Sequence, residues 1–80
     1  MSAVTGRWQY LGQVNNEKTW QYRIPDPNTG SEMTYGTVIR QDASSIYIDS
    51  DPNTRHTDLR RAKALEAKAA RQRFENDYAA

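Results

Sequence analysis

The chain has 80 residues, with 11 lysines and arginines against 10 acids, and no cysteine. That length leaves room for one domain, 1–80, around one core, and the absence of thiols excludes disulfides and thiolate metal sites as staples. No apolar run approaches the roughly 20 residues of a membrane span, and Met1–Arg7 lacks the parts of a signal peptide; a soluble protein is expected, cytoplasmic or in a virion, and not secreted.

From residue 1 to 50 the pattern is that of short strands. Trp-Gln-Tyr occurs at 8–10 and again at 20–22, a spacing too short for a helical repeat but suited to two strands of one hairpin, where Trp and Tyr share a face. Strands are predicted near 7–14, 18–24, 32–40 and 45–49, joined by loops at Asn15–Glu17, around Asn28 just before Gly30, and at Gln41–Ser44. Asp-Pro-Asn-Thr occurs at 26–29 and at 51–54. Asp and Pro stand there where a type I turn wants them, so both copies are predicted as turns.

One register places most of the large apolar residues on one side, and a one-residue slip would turn each of them to the other. It sets Gly12 opposite Trp20, Tyr10 opposite Tyr22 and Trp8 opposite Ile24. It then sets Ile24 opposite Met33, Tyr22 opposite Tyr35, Trp20 opposite Thr37, Ile39 opposite Ile46 and Thr37 opposite Ile48. The predicted inner face is Trp8, Tyr10, Gly12, Val14, Trp20, Tyr22, Ile24, Met33, Tyr35, Thr37, Ile39, Ile46 and Ile48. Leu11, Val38 and Tyr47 are apolar exceptions on a polar outer face.

Nearly every residue from 55 to 78 favours helix, with Thr54 or Thr57 as cap and Asp58 at the positive end of the dipole. Leu59, Ala62, Leu65 and Ala69 form one apolar stripe; Ala67, Ala70, Phe74 and Tyr78 form another, rotated from it by about a third of a turn. The predicted fold is α+β: a four-stranded antiparallel β-meander over 1–50, flat or with an SH3-like curl, a turn at 51–54, and one long C-terminal helix covering the aromatic face.

Charge divides the chain. Residues 1–50 carry Arg7, Lys18, Arg23 and Arg40 against five acids, one negative charge net, whereas 55–73 carries seven cations against Asp58 and Glu66, five positive net. Such a basic segment can track a phosphate backbone, which makes Arg60, Arg61, Lys63 and Lys68 the residues of a nucleic-acid interface. The same cations point in several directions, as on an ordinary solvated helix, and no Lys/Arg-Gly-Phe-Gly-Phe type signature marks the sheet as an RNA-recognition surface.

Catalytic and metal patterns fail. Asp49, Asp51 and Asn53 match the first positions of a calcium loop, but Thr54 stands where the turn wants Gly and Arg60 where a closing Glu belongs. His56 is the single histidine, and Ser50, His56 and Asp58 lie in no nucleophile elbow. The four glycines, at 6, 12, 30 and 36, build no phosphate loop. A non-enzymatic module without cofactor, metal, membrane or small-molecule substrate is expected.

The remaining signal is a length mismatch. Strands of about eight residues span roughly 26 Å, whereas a helix of about 24 spans roughly 36 Å, so the last turns should overhang the sheet. Phe74 and Tyr78 fall there, rimmed by Arg71 and Arg73, a composition suited to docking on another protein or a second copy of this chain. Folding back to cap the domain's own core is the competing reading. In profile, though by no matched residues, the chain resembles accessory subunits, phage-encoded inhibitors of host machinery and small virion components.

Overall fold

The structure, a computed structural model, describes residues 6–78; residues 1–5, most of the segment read for a targeting signal, and 79–80 lie outside the described residues. Five strands form one open antiparallel sheet in chain order: β1 (Arg7–Val14), β2 (Glu17–Pro25), β3 (Glu32–Asp42), β4 (Ser45–Ile48) and β5 (Asp51–His56). The helix α1 (Leu59–Tyr78) follows and packs chiefly on β3, then on β4 and β2. The α+β arrangement is as expected, but the sheet has five strands rather than four.

The extra strand comes from the segment predicted as turn and helix start. Asp51–His56 folds back on β4, with Ile48 opposite Asp51 and Ile46 opposite His56. Pro52 lacks an N–H, which an edge strand tolerates. The two Asp-Pro-Asn-Thr copies therefore differ. At 26–29 the motif is a turn, closed by Asn28 N–H donating to Asp26 Oδ1 at 2.9 Å and Gly30 N–H to the Asp26 carbonyl at 2.8 Å. At 51–54 it is strand. The helix starts at Leu59 instead of 55, and neither threonine caps it: Asp58 does, its carboxylate accepting the Arg61 N–H at 3.3 Å.

Trp8 and Trp20 lie on the same face, but the register differs from the predicted one at two bulges. In β1 a bulge between Tyr10 and Gly12 pairs Trp8 with Tyr22 and Tyr10 with Trp20, while Gly12 meets Thr19 and Val14 meets Glu17. Gly12 therefore provides no floor for Trp20, and its φ of 108° is one that L side chains rarely adopt. Between β2 and β3, Ile24 does meet Met33, but the shift between Tyr22 and Arg23 inserts Tyr35 as an extra residue. From there Tyr22 faces Gly36 and Trp20 faces Val38. A further shift between Arg40 and Asp42 separates the β3–β4 pairing from the expected one, so that Val38 meets Ile48 and Arg40 meets Ile46. Val38, read as an outer exception, is thus fully buried, whereas Thr37 and Ile39 point outward with Tyr47.

The core consists of two linked groups under the helix: Tyr22 and Ile24 with Ala67 and Ala70, and Val38, Ile46 and Ile48 with Ala62. Small alanines let α1 approach the sheet closely. The face it buries lies between the two predicted stripes, so Leu65 remains exposed, and the centre of that face is Glu66, which is fully buried.

Glu66 accepts the Thr37 N–H at 2.9 Å through Oε2 and the Ser50 N–H at 3.0 Å through Oε1, and pairs with Arg73 at 3.4 Å. Gly36 makes room for it, since a Cβ there would stand 3.0 Å from Glu66 Cγ and 3.1 Å from Ala70 Cβ. Glu66→Ala is expected to cost about 3 kcal/mol or more in urea denaturation, because two amides and a guanidinium lose their acceptor together. Glu66→Gln should lose less, since its carbonyl still serves one amide. An alanine variant melting with the parent would remove Glu66 as the anchor.

Candidate functional site

The four residues expected to form an overhanging docking patch are brought together, but they engage their own sheet. α1 has 20 residues and β3 has 11, so the helix, about 30 Å long, does not outrun a strand of roughly 36 Å. Phe74 meets Tyr35 edge-on at 5.5 Å between ring centroids, and Tyr78 lies 4.7 Å from Phe74 with its hydroxyl 3.9 Å from Met33 Sδ. Arg73 donates to the Tyr35 carbonyl at 2.6 Å, and Arg71 to the Tyr22 hydroxyl at 3.3 Å. Tyr35 keeps the inner facing expected for it, and the bulge there sets Gly36 on the same side.

Of the cations considered for nucleic acid, Arg60, Arg61 and Lys68 are exposed on α1. Lys63 is different. Its ammonium lies 5.4 Å from the Trp8 ring centroid and 5.8 Å from that of Trp20, placing one cation over two indoles.

That contact marks an open groove. A helix about 10–12 Å across cannot roof five strands spaced about 4.8 Å apart, and α1 follows β3, covering Tyr22 and Ile24 of β2 but leaving the inner side of β1 and the Trp20 end of β2 only partly covered. The floor is Trp8, Tyr10 and Trp20. Tyr10 is 50% exposed and stacks at a tilt on Trp20, 5.2 Å between centroids, while Trp8 meets Tyr22 at 5.0 Å. One wall is the flank of α1 carrying Lys63, Ala67 and Arg71, with Arg60 a turn before; Lys18, two residues before Trp20 on the same face of β2, stands at the open end. Among the described residues, none of Lys18, Lys63 and Arg71 pairs with a carboxylate. Sequence reasoning named every one of these side chains but assigned the aromatics to a covered core. The usable signal was width: one helix is too narrow for the sheet.

Other surfaces are less developed. On the outer face, Thr37, Ile39, Tyr47, Asp49 and Pro52 surround a shallow apolar hollow of about 120 Å³, room for a single side chain. Ser50 and Asp58 serve the fold, one donating its amide to Glu66 and the other capping α1. No group of three or more His, Cys, Asp or Glu with metal-holding proximity occurs among the described residues. No described helix is long and apolar enough to cross a membrane.

No family model, no curated protein and no solved structure matches this chain.

Because Phe74 is half-buried against Tyr35, Phe74→Ala is expected to lower stability by about 2 kcal/mol, short of the full cost of a core aromatic. A variant that melts with the parent would return Phe74 to the free surface. The same docking acts on Tyr35: burial, then the hydrogen bond from its hydroxyl to Asp77 at 2.8 Å, pushes the phenol up to about 12. With the folded value above the ordinary 10.0, this contribution to stability is complete below pH 10 and is lost as pH rises through 12. Phenolate absorbance should show a late-titrating tyrosine that Tyr35→Phe removes.

Proposed function

We propose that this chain is a non-enzymatic binding module whose working surface is the groove between the β1–β2 hairpin and α1, where it holds an extended anionic segment of a partner. One observation carries the reading: cations with no carboxylate partner among the described residues and part-exposed aromatics line the same side of the domain, with Lys63 in contact with both tryptophans. Aromatic surface left open costs stability in a chain with so small a core, and binding offsets that cost. Docking by the helix end has less support, because Phe74, Tyr78 and Arg73 are already engaged by β3.

Both tryptophans of the chain lie in the groove, so their emission reports its occupancy. Titration with polyglutamate and with oligothymidylate is expected to change that emission for at least one polymer. The response should weaken in Lys63→Gln, which should still fold and unfold cooperatively, its melting temperature lowered only by the lost contact with the two rings. If neither polymer perturbs the tryptophans at low salt, the groove is not the working surface.

A second reading is protein docking on the free edge of β1, by a partner strand or a second copy of the chain. It is favoured by the clustering on that edge strand of three of the five exposed large hydrophobics among the described residues, Tyr10, Leu11 and Val14. Leu11→Lys with Val14→Lys abolishes association under that reading and leaves groove binding intact.

A further inference from the structure

Resting on the groove reading, we infer that the anionic segment is a single-stranded nucleic acid, with bases stacked on Tyr10 and Trp20 and phosphates met by Lys18, Lys63 and Arg71. An acidic peptide needs cations alone, whereas this site sets π faces beside cations, the pairing that holds single strands. Trp8 and Tyr10, two residues apart on one face of β1 and backed by the β2 rings of buried Tyr22 and part-exposed Trp20 at 5.0 and 5.2 Å, set their rings along a line rather than in one pocket. Half of the Tyr10 surface is free to receive a base.

Cation placement agrees with this. Lys63 and Arg71 are eight residues apart on one flank of α1, about 12 Å along its axis, and Lys18 stands on β2 beyond Trp20, at the open end. A strand laid along β1 would have its bases toward the sheet and its backbone toward the helix flank. In the free protein the Lys63 ammonium lies over both indoles. A phosphate gives that ammonium a counter-charge at the rim and frees the indole face for a base. A duplex cannot use the site, because its bases are already stacked on one another and only its phosphates are presented. Stacking is tolerant of sequence, so any base preference should be weak.

The test uses the full chain with labelled oligothymidylate, oligodeoxyadenylate, a duplex of the same length and polyglutamate, followed by anisotropy and tryptophan emission across a salt series. Single strands are expected to bind and quench, with three phosphate contacts giving a slope of log K against log salt of about −2. The duplex should bind at least about tenfold more weakly. Tyr10→Ala and Tyr10→Leu, the second keeping bulk without a π face, should each weaken single-strand binding about tenfold at unchanged melting temperature. Lys63→Gln and Arg71→Gln should each reduce the slope by about 0.7, whereas Lys68→Gln, on the far side of α1, should not.

Polyglutamate binding with no response to oligonucleotides overturns this inference and leaves the groove reading standing. Equal binding of duplex and single strand, or full affinity in both Tyr10 variants, also overturns it, since phosphates on the exposed helix cations would then carry the affinity. Failure of both polymers to bind ends both readings.

Discussion

A fully buried carboxylate fixes where the helix lies. Glu66 reaches from the middle of α1 to the Thr37 amide in β3 and to the Ser50 amide in the β4–β5 turn, with Arg73 supplying the counter-charge. Placing an ionised group there costs several kcal/mol of desolvation, which its hydrogen bonds largely offset, so its net contribution to stability is modest. What it supplies is position. Apolar contacts with Ala62, Ala67 and Ala70 are non-directional and would allow the helix to slide or roll, but two fixed amides admit Glu66 in one place.

The open groove is a consequence of that position. With Glu66 held against Gly36, the axis of α1 follows β3 and its last turn reaches Met33. One flank then rises beside β2, bringing Lys63 over Trp8 and Trp20 and Arg71 to Tyr22. Rolling the helix toward β1 would bury Tyr10 and close the groove, at the expense of drawing Glu66 away from Ser50. The contact that anchors the core thereby also keeps the aromatic strip open.

Much of the fold was legible because local signals agreed with one another. Asn15-Asn16, Asp26–Gly30 and Ala43-Ser44 are turns, the Ile24–Met33 pair is correct, and the helix runs to Tyr78, the last described residue. What failed depends on single extra residues. A bulge at Leu11 or Tyr35 leaves no mark on an alternating pattern, yet the one at Tyr35 exchanges Thr37 and Ile39 for Val38 on the buried face. Strand β5 was obscured because Asp-Pro-Asn-Thr has turn chemistry wherever it stands, and only its pairing with Ile46 and Ile48 makes it strand. Glu66 was hidden for a different reason. Sequence patterning counts a carboxylate as surface, so the helix showed two apolar stripes on either side of a residue that is in fact their centre. The groove residues were all visible, but not their exposure, which depends on the roll of the helix that Glu66 sets.

Core and groove share residues, so they are not energetically independent. Trp8 packs against both buried groups, and Trp20 against the Val38, Ile46 and Ile48 group, yet both rings also face the groove and Lys63. A ligand layered on these rings removes their remaining surface from water and adds to the same contacts that hold β1 and β2 to the helix. By mass action, whatever binds only the folded groove stabilises the whole domain, and most visibly a domain whose margin is small. An 80-residue chain with few large core side chains can thus leave part of its aromatic surface unburied in the free state, a layer that the proposed ligand would complete.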